Sequence, residues 1–158
     1  MATVELTFTA LPAHVRTARL VATAVARRSG VDESLLDEVR LAVGEACSRA
    51  VEGHQLYCPG EPVRLALTDL AGRFEVEVTD TCAPGARSPG GSGPTPGQAS
   101  AHPAGTDPAG SLTVSAEPGM PAGLGIAVIE GLADDVQISE TPAGTRIRMS
   151  WPSAGARR

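Results

Sequence analysis

Lysine is absent from the chain: all 13 basic residues among its 158 are arginine. That excludes a P-loop lysine, a Schiff-base lysine and any kinase mechanism that depends on a lysine. Aromatic residues are scarce at 3%, so a core must be built from Ala, Val, Leu and Ile. An excess of positive charge is missing too. The 18 acidic residues leave a net charge of -5, which excludes nucleic acid as the main partner, because neutralising phosphates needs a basic face. The three cysteines, Cys47, Cys58 and Cys82, form no CxxC pair and no Cys/His cluster. They predict free thiols in a reducing cytoplasm, neither a disulfide framework nor a zinc site. No stretch approaches the roughly 20 apolar residues that span a bilayer, and the start MATVELTF lacks the basic and apolar blocks of a leader. The expectation is a soluble, cytoplasmic protein with no membrane contact.

What is present suffices for one domain, with 42% hydrophobic and 20% charged residues. Val4, Leu6 and Phe8 alternate with polar residues, the pattern of a half-buried strand. Pro12 opens a helix to about Ser29, with Val15, Ala18, Ala22, Val25 and Ala26 on one face and Gly30 as its stop. Asp32 is read as the N-cap of a second helix reaching about Val51, with Leu35, Leu36, Val39, Ala42, Val43, Ala46 and Ala50 as its apolar face. Val63, Leu65 and Leu67, then Phe74, Val76 and Val78, alternate on either side of Ala71-Gly72 and predict an antiparallel hairpin.

From 83 to 122 the composition changes: eight of the 18 glycines and eight of the 13 prolines fall there. Such a segment has too little apolar surface to offset its ordering entropy, so it reads as a long mobile insertion inside one domain spanning 1–152. Periodic structure resumes with Gly123-Leu-Gly125, a short helix from Ile126 to about Leu132, a strand at Val136 and Ile138, a Pro142-Ala-Gly144 turn, and a last strand through Ile147, Met149 and Trp151. Residues 153–158 read as a frayed tail. The order β, α, α, β, β, loop, α, β, β predicts an α+β sandwich, a mixed sheet covered by helices on one face.

Polar groups meet special backbone positions in three places. Glu45 and Arg49 are four apart on the second helix and project side by side. Asp80 ends a strand and is followed by Thr81-Cys82-Ala83-Pro84. Gly123 and Gly125 stand at a helix start, where bare backbone N–H groups can approach an anion. The set resembles the anti-sigma-factor serine kinases, small members of the histidine-kinase-like (GHKL, Bergerat-fold) ATPases. Asp37 to Val51 is similar to the family's N-box helix, Val78-Thr-Asp80 to the start of its G1 box, and Gly123 to Asp134 to its G2 box and following helix. Gly144-Thr145 matches its closing turn. The resemblance covers Val4 to Trp151 and rests on the ordered set at the right spacing.

The resemblance implies a Bergerat-type fold and assigns roles. Glu45 would be the general base. Asp80 would accept the adenine amino group, with Gly123 and Gly125 at the phosphates and Thr145 also in the nucleotide site. The insertion at 83–122 would be the ATP lid. Two boxes depart from the pattern. The family's asparagine, a Mg²⁺ ligand, is replaced by Arg49, which has no acceptor at all. A guanidinium about 4 Å from a divalent ion repels it by roughly 8 kcal/mol at an effective dielectric of 20. In the G1 box, Cys82 and Pro84 replace glycines, and the lid has no clear basic residue beyond Arg87.

The residues alone leave plainer readings open: an i,i+4 ion pair for Glu45 and Arg49, a turn residue for Asp80, solvated His14, His54 and His102, and a core Cys47. With the resemblance, the expected function is that of an anti-sigma-factor-like regulator. It would bind a sigma factor, an anti-anti-sigma factor of the STAS type, or both in a partner switch, as a pseudokinase with no required cofactor and no metal site. Homodimerisation is a family expectation. The alternative is an active ATP- and Mg²⁺-dependent serine kinase with Glu45 as base. A third is a binder of another small ligand, with Arg49 gripping an anion.

Overall fold

The computed structural model describes residues 2–82, 122–142 and 144–154. The expected lid therefore lies outside the described residues except for Ala122, which begins a helix. The described strands are β1 (Ala2–Thr9), β2 (Pro62–Leu70), β3 (Arg73–Thr79), β4 (Asp135–Thr141) and β5 (Gly144–Pro152). The helices are α1 (Pro12–Arg28), α2 (Leu36–Tyr57) and α3 (Ala122–Leu132), with a 3-10 turn at Glu33–Leu35.

The five strands form one sheet in the order β1-β2-β3-β5-β4. The fold is the expected α+β sandwich, but every pairing among the described strands is antiparallel, so the mixed sheet becomes an antiparallel one. The connections explain this. β1 is followed by two antiparallel helices, so the chain re-enters as β2 in the opposite direction. β2 and β3 are joined by the expected hairpin, with Leu70 opposite Arg73 and Gly72 at φ +80°.

Local chemistry sets the helix ends. Pro12 opens α1, where a missing N–H does no harm. Gly30, at φ +83°, turns the chain so that the Val31 N–H returns to the Ala26 carbonyl at 3.1 Å. Asp32 caps the 3-10 turn, with its Oδ1 accepting from the Ser34 N–H at 2.9 Å. α2 begins later, at Leu36, and runs through Gly53 to Tyr57, six residues beyond the expected end at Val51. Packing holds that last stretch, because His54 inside it is fully buried.

Val15, Ala18, Ala22 and Ala26 of α1 and Val39, Val43, Ala46 and Ala50 of α2 are buried against Val63, Leu65, Leu67, Phe74, Val76, Val78, Met149 and Trp151 of the sheet. Removing a buried aromatic side chain typically costs about 3–5 kcal/mol. Phe74 and Trp151 lie 6.4 Å apart, and the Trp151 indole N–H donates to the Leu132 carbonyl at 3.0 Å, tying α3 to β5. The other sheet face is polar: Arg146 and Arg148 of β5 lie within 3.4 Å of Glu75 and Glu77 on β3. Beyond β5, Ser153 and Ala154 donate to the carbonyls of Gly72 and Gly30 at 3.0 and 2.9 Å. The expected tail thus starts with two residues that are held; residues 155–158 lie outside the described ones.

No helix among the described residues is long and apolar enough to cross a membrane. The expectation of three free thiols is corrected. Cys58, at the end of α2, and Cys82, just beyond β3, form a disulfide with Cα atoms 5.8 Å apart, and Cys47 alone stays free. Their 24-residue separation hid the pairing, which arises because the long α2 ends beside the end of β3.

Candidate functional site

α2, the end of β3 and the start of β5 converge beneath α3. Arg49, Asp80 and Thr145 line one small cavity of about 40 Å³, together with Ala46, Ala50, Val78 and Ile147. Three of the predicted site residues are therefore brought together. Glu45 adjoins them through Gly125: a Cβ at Gly125 would overlap Glu45 Oε1 and lie 3.3 Å from Arg49 Cδ and Nη1. Glycine at 125 thus lets α3 press directly onto the Glu45 and Arg49 side chains. Gly123 and Gly125 sit inside the first turns of α3, where the sequence placed them just before the helix.

Asp80 is buried, and its carboxylate is already engaged. Oδ1 accepts from the Cys82 N–H at 2.7 Å, and the Asp80 N–H donates to the Thr145 carbonyl at 2.9 Å. Gly144 (φ +140°) lets β5 approach: a Cβ there would overlap the Asp80 carbonyl oxygen and lie 3.1 Å from that of Cys82.

His54, expected in solvent, is corrected to a fully buried residue that joins α2 to this segment. Its Nδ1 donates to the Glu61 carbonyl at 2.7 Å and its Nε2 accepts from the Thr81 N–H at 3.1 Å. These partners assign the neutral Nδ1–H tautomer. Asp80 Oδ1 is 3.3 Å from Nε2, a distance that would make an ion pair with a protonated ring. The Thr81 N–H needs the Nε2 lone pair, so the neutral contact is the consistent one. His54 was discoverable, since it continues the buried Val43, Cys47, Ala50 row of α2 at helical spacing. His14 also has a partner, its Nδ1 lying 2.9 Å from the Thr9 carbonyl. His102 lies outside the described residues.

A larger cavity of about 340 Å³ opens between α1 and α2. Val15, Arg19, Leu41, Glu45, Ser48 and Glu52 contribute to its walls. Glu45 thus contributes to the wall of this groove while its Oε1 lies against Gly125 of α3, and Arg49 and Asp80 line the small cavity. Cys47, buried beside Arg19, has its thiol pushed up to about 12 by burial, which outweighs the Arg19 charge. It is a core residue, as its position predicts.

Residues 8–151 match the histidine kinase-like ATPase domain family. The chain belongs to that family. A solved structure of the RsbU and RsbW domains of Rv1364c from Mycobacterium tuberculosis shares the fold of this ATPase-family domain, with a TM-score of 0.62 and 19% identity over 99% of the present chain. The chain spans about a third of that structure's length, 34%. A comparison with curated proteins gives no match.

Members of an ATPase family imply a nucleotide and its Mg²⁺, and the residues present fit these two unequally. Among the described residues no group of three or more His, Cys, Asp and Glu is placed to hold a metal. Arg49, beside Glu45, brings a fixed positive charge and no lone pair, so this donor set does not fit Mg²⁺. Asp80 is a carboxylate suited to accept an amino group. The cavity beside it holds only a few waters' volume, well below the roughly 300 Å³ at which small-molecule pockets begin.

Proposed function

We propose that this domain is a partner-switching regulator of the anti-sigma-factor type, acting in a bacterial cytoplasm without its own phosphoryl transfer. It would hold a sigma factor, a STAS-type anti-anti-sigma factor, or each in turn, and release would follow from competition between them. The observation that carries the reading is the placement of Arg49, in one cavity with Asp80 and Thr145 and pressed with Glu45 beneath Gly125. A guanidinium there stands in place of a metal, so the γ-phosphate lacks the ion that would neutralise its developing charge. Exposed Leu41 of α2, with Val15, Arg19 and Glu45 in the walls of the α1–α2 groove, supplies an apolar anchor beside charge, the composition of a protein-binding patch. Homodimerisation is part of the proposal.

The test mixes the purified domain with a STAS-domain protein from the same genome, ATP and Mg²⁺. Binding of the partner, with its serine unmodified by mass spectrometry, is the expected result. Stoichiometric phosphorylation of that serine would instead establish the second reading, an active serine kinase. Glu45 favours that second reading, because it is one of the residues lining the 340 Å³ groove, where a partner's hydroxyl could approach a base.

A further inference from the structure

The Cys58–Cys82 disulfide occupies the point of greatest leverage on the Asp80 pocket. Cys82 is 1% exposed, and its own N–H is the group that engages Asp80 Oδ1. Cys58 caps α2 one turn after His54, with its N–H on the His54 carbonyl at 2.8 Å, and His54 in turn receives the Thr81 N–H. Beside the disulfide, residues 80–82 make hydrogen bonds to Thr145, His54, Pro62 and within the segment. The covalent bond therefore fastens, two residues further on, the segment that carries Asp80, one of the residues lining the small cavity.

We propose that this disulfide is a thiol-reversible latch on residues 80–82. Closed, it keeps the Asp80 carboxylate on the Cys82 N–H and the cavity small; opened by a dithiol, it frees the segment and lets the cavity admit the base of an adenine nucleotide. The nucleobase half of the proposal rests on the family reading of Asp80, and the latch half does not.

The chemistry is ordinary thiol exchange. A thiolate of the dithiol attacks Cys58 Sγ, the more accessible sulfur since Cys58 is half-buried and Cys82 is not. The Cys58–Cys82 bond breaks, and Cys82 leaves as a thiolate that takes up a proton. The second thiol of the reagent then displaces Cys58, which is released as a thiol while the reagent closes to a cyclic disulfide. Two electrons and two protons pass from the dithiol to the protein. Cys47 does not intervene: it is buried, and a thiol pushed up to about 12 supplies almost no thiolate. The exchange is therefore confined to one pair, and the bond's position lets it report the thiol balance of its surroundings.

The experiment compares the full chain oxidised, reduced with dithiothreitol, and as Cys58→Ser, by hydrogen exchange at the Thr81 and Cys82 amides. Those amides are expected to exchange at least about tenfold faster once the bond is open, with amides in the centre of β3 unchanged. Cys58→Ser should match the reduced protein and ignore dithiothreitol. Equal exchange in all three samples overturns the latch, as does full labelling of Cys58 and Cys82 by a maleimide in the oxidised sample. ADP titrated without metal tests the second half. Affinity about fivefold or more higher in the reduced protein and in Cys58→Ser supports it. Faster exchange with equal ADP affinity, or with no ADP binding in any state, refutes the nucleobase half and leaves a latch without that ligand. Partner phosphorylation, the result that would sink the proposed function, is a separate readout.

Discussion

Replacing His54 by Ala would remove a side chain that joins α2, the loop before β2 and the segment after β3. The ring is fully buried, and the substitution strands two backbone groups, the Glu61 carbonyl and the Thr81 N–H. A buried polar group left without its partner costs about 1–3 kcal/mol, and the vacated ring volume adds a cavity term. The sum is about 3–7 kcal/mol, which for a chain of this size lowers the melting temperature by about 10 °C or more. Urea unfolding followed by circular dichroism measures it. Two further variants separate the terms. His54→Asn carries an N–H near the position of Nδ1 and should recover the Glu61 bond only. His54→Gln carries an oxygen near the position of Nε2 and should recover the Thr81 bond only. Each should fall between wild type and Ala. A loss below about 1 kcal/mol for His54→Ala, or no recovery in either amide variant, would refute the hydrogen-bond assignment.

Gly144→Ala should destabilise by about 3 kcal/mol or more, because its Cβ would overlap the Asp80 carbonyl at a backbone angle few side chains adopt; thermal melts would show it. Hydrogen bonds from the Ser34 side chain and N–H hold the Asp32 carboxyl below the usual aspartate range. A lowered folded-state pKa contributes stability that is present above the unfolded aspartate pKa and lost as pH falls through the folded one. The stability gap between wild type and Asp32→Ala should therefore be constant near neutral pH and shrink in acid, as urea titrations at several pH values would show. Arg49→Asn removes a repulsion of roughly 8 kcal/mol toward a divalent ion and adds an acceptor, so its ATP binding should become Mg²⁺-dependent in calorimetry.

Much of the fold is written in alternation and helical spacing. Phe74, Val76 and Val78, or Val15, Ala18, Ala22 and Ala26, face the core as their periods require. The convergence of Arg49, Asp80 and Thr145 was also legible, through the spacing of the family's boxes. Legibility failed where tertiary packing overrode a local signal. The second helix was expected to end at about Val51, yet α2 continues through Gly53 because burying His54 outweighs the glycine's weak helix propensity. The disulfide escaped because its two cysteines meet only once α2 extends to Tyr57 and carries Cys58 to the end of β3. The antiparallel sheet follows from counting reversals of the chain, which single-element patterns do not reveal.

On the proposed reading, Arg49 stands in place of the metal site of this ATPase-family domain. Calorimetric titration of the purified wild-type chain with ATP, with and without Mg²⁺, tests it most directly. The expected result is no binding, or weak binding that Mg²⁺ leaves unchanged. Micromolar binding that strengthens when Mg²⁺ is added would contradict it and restore an active kinase with Glu45 as base.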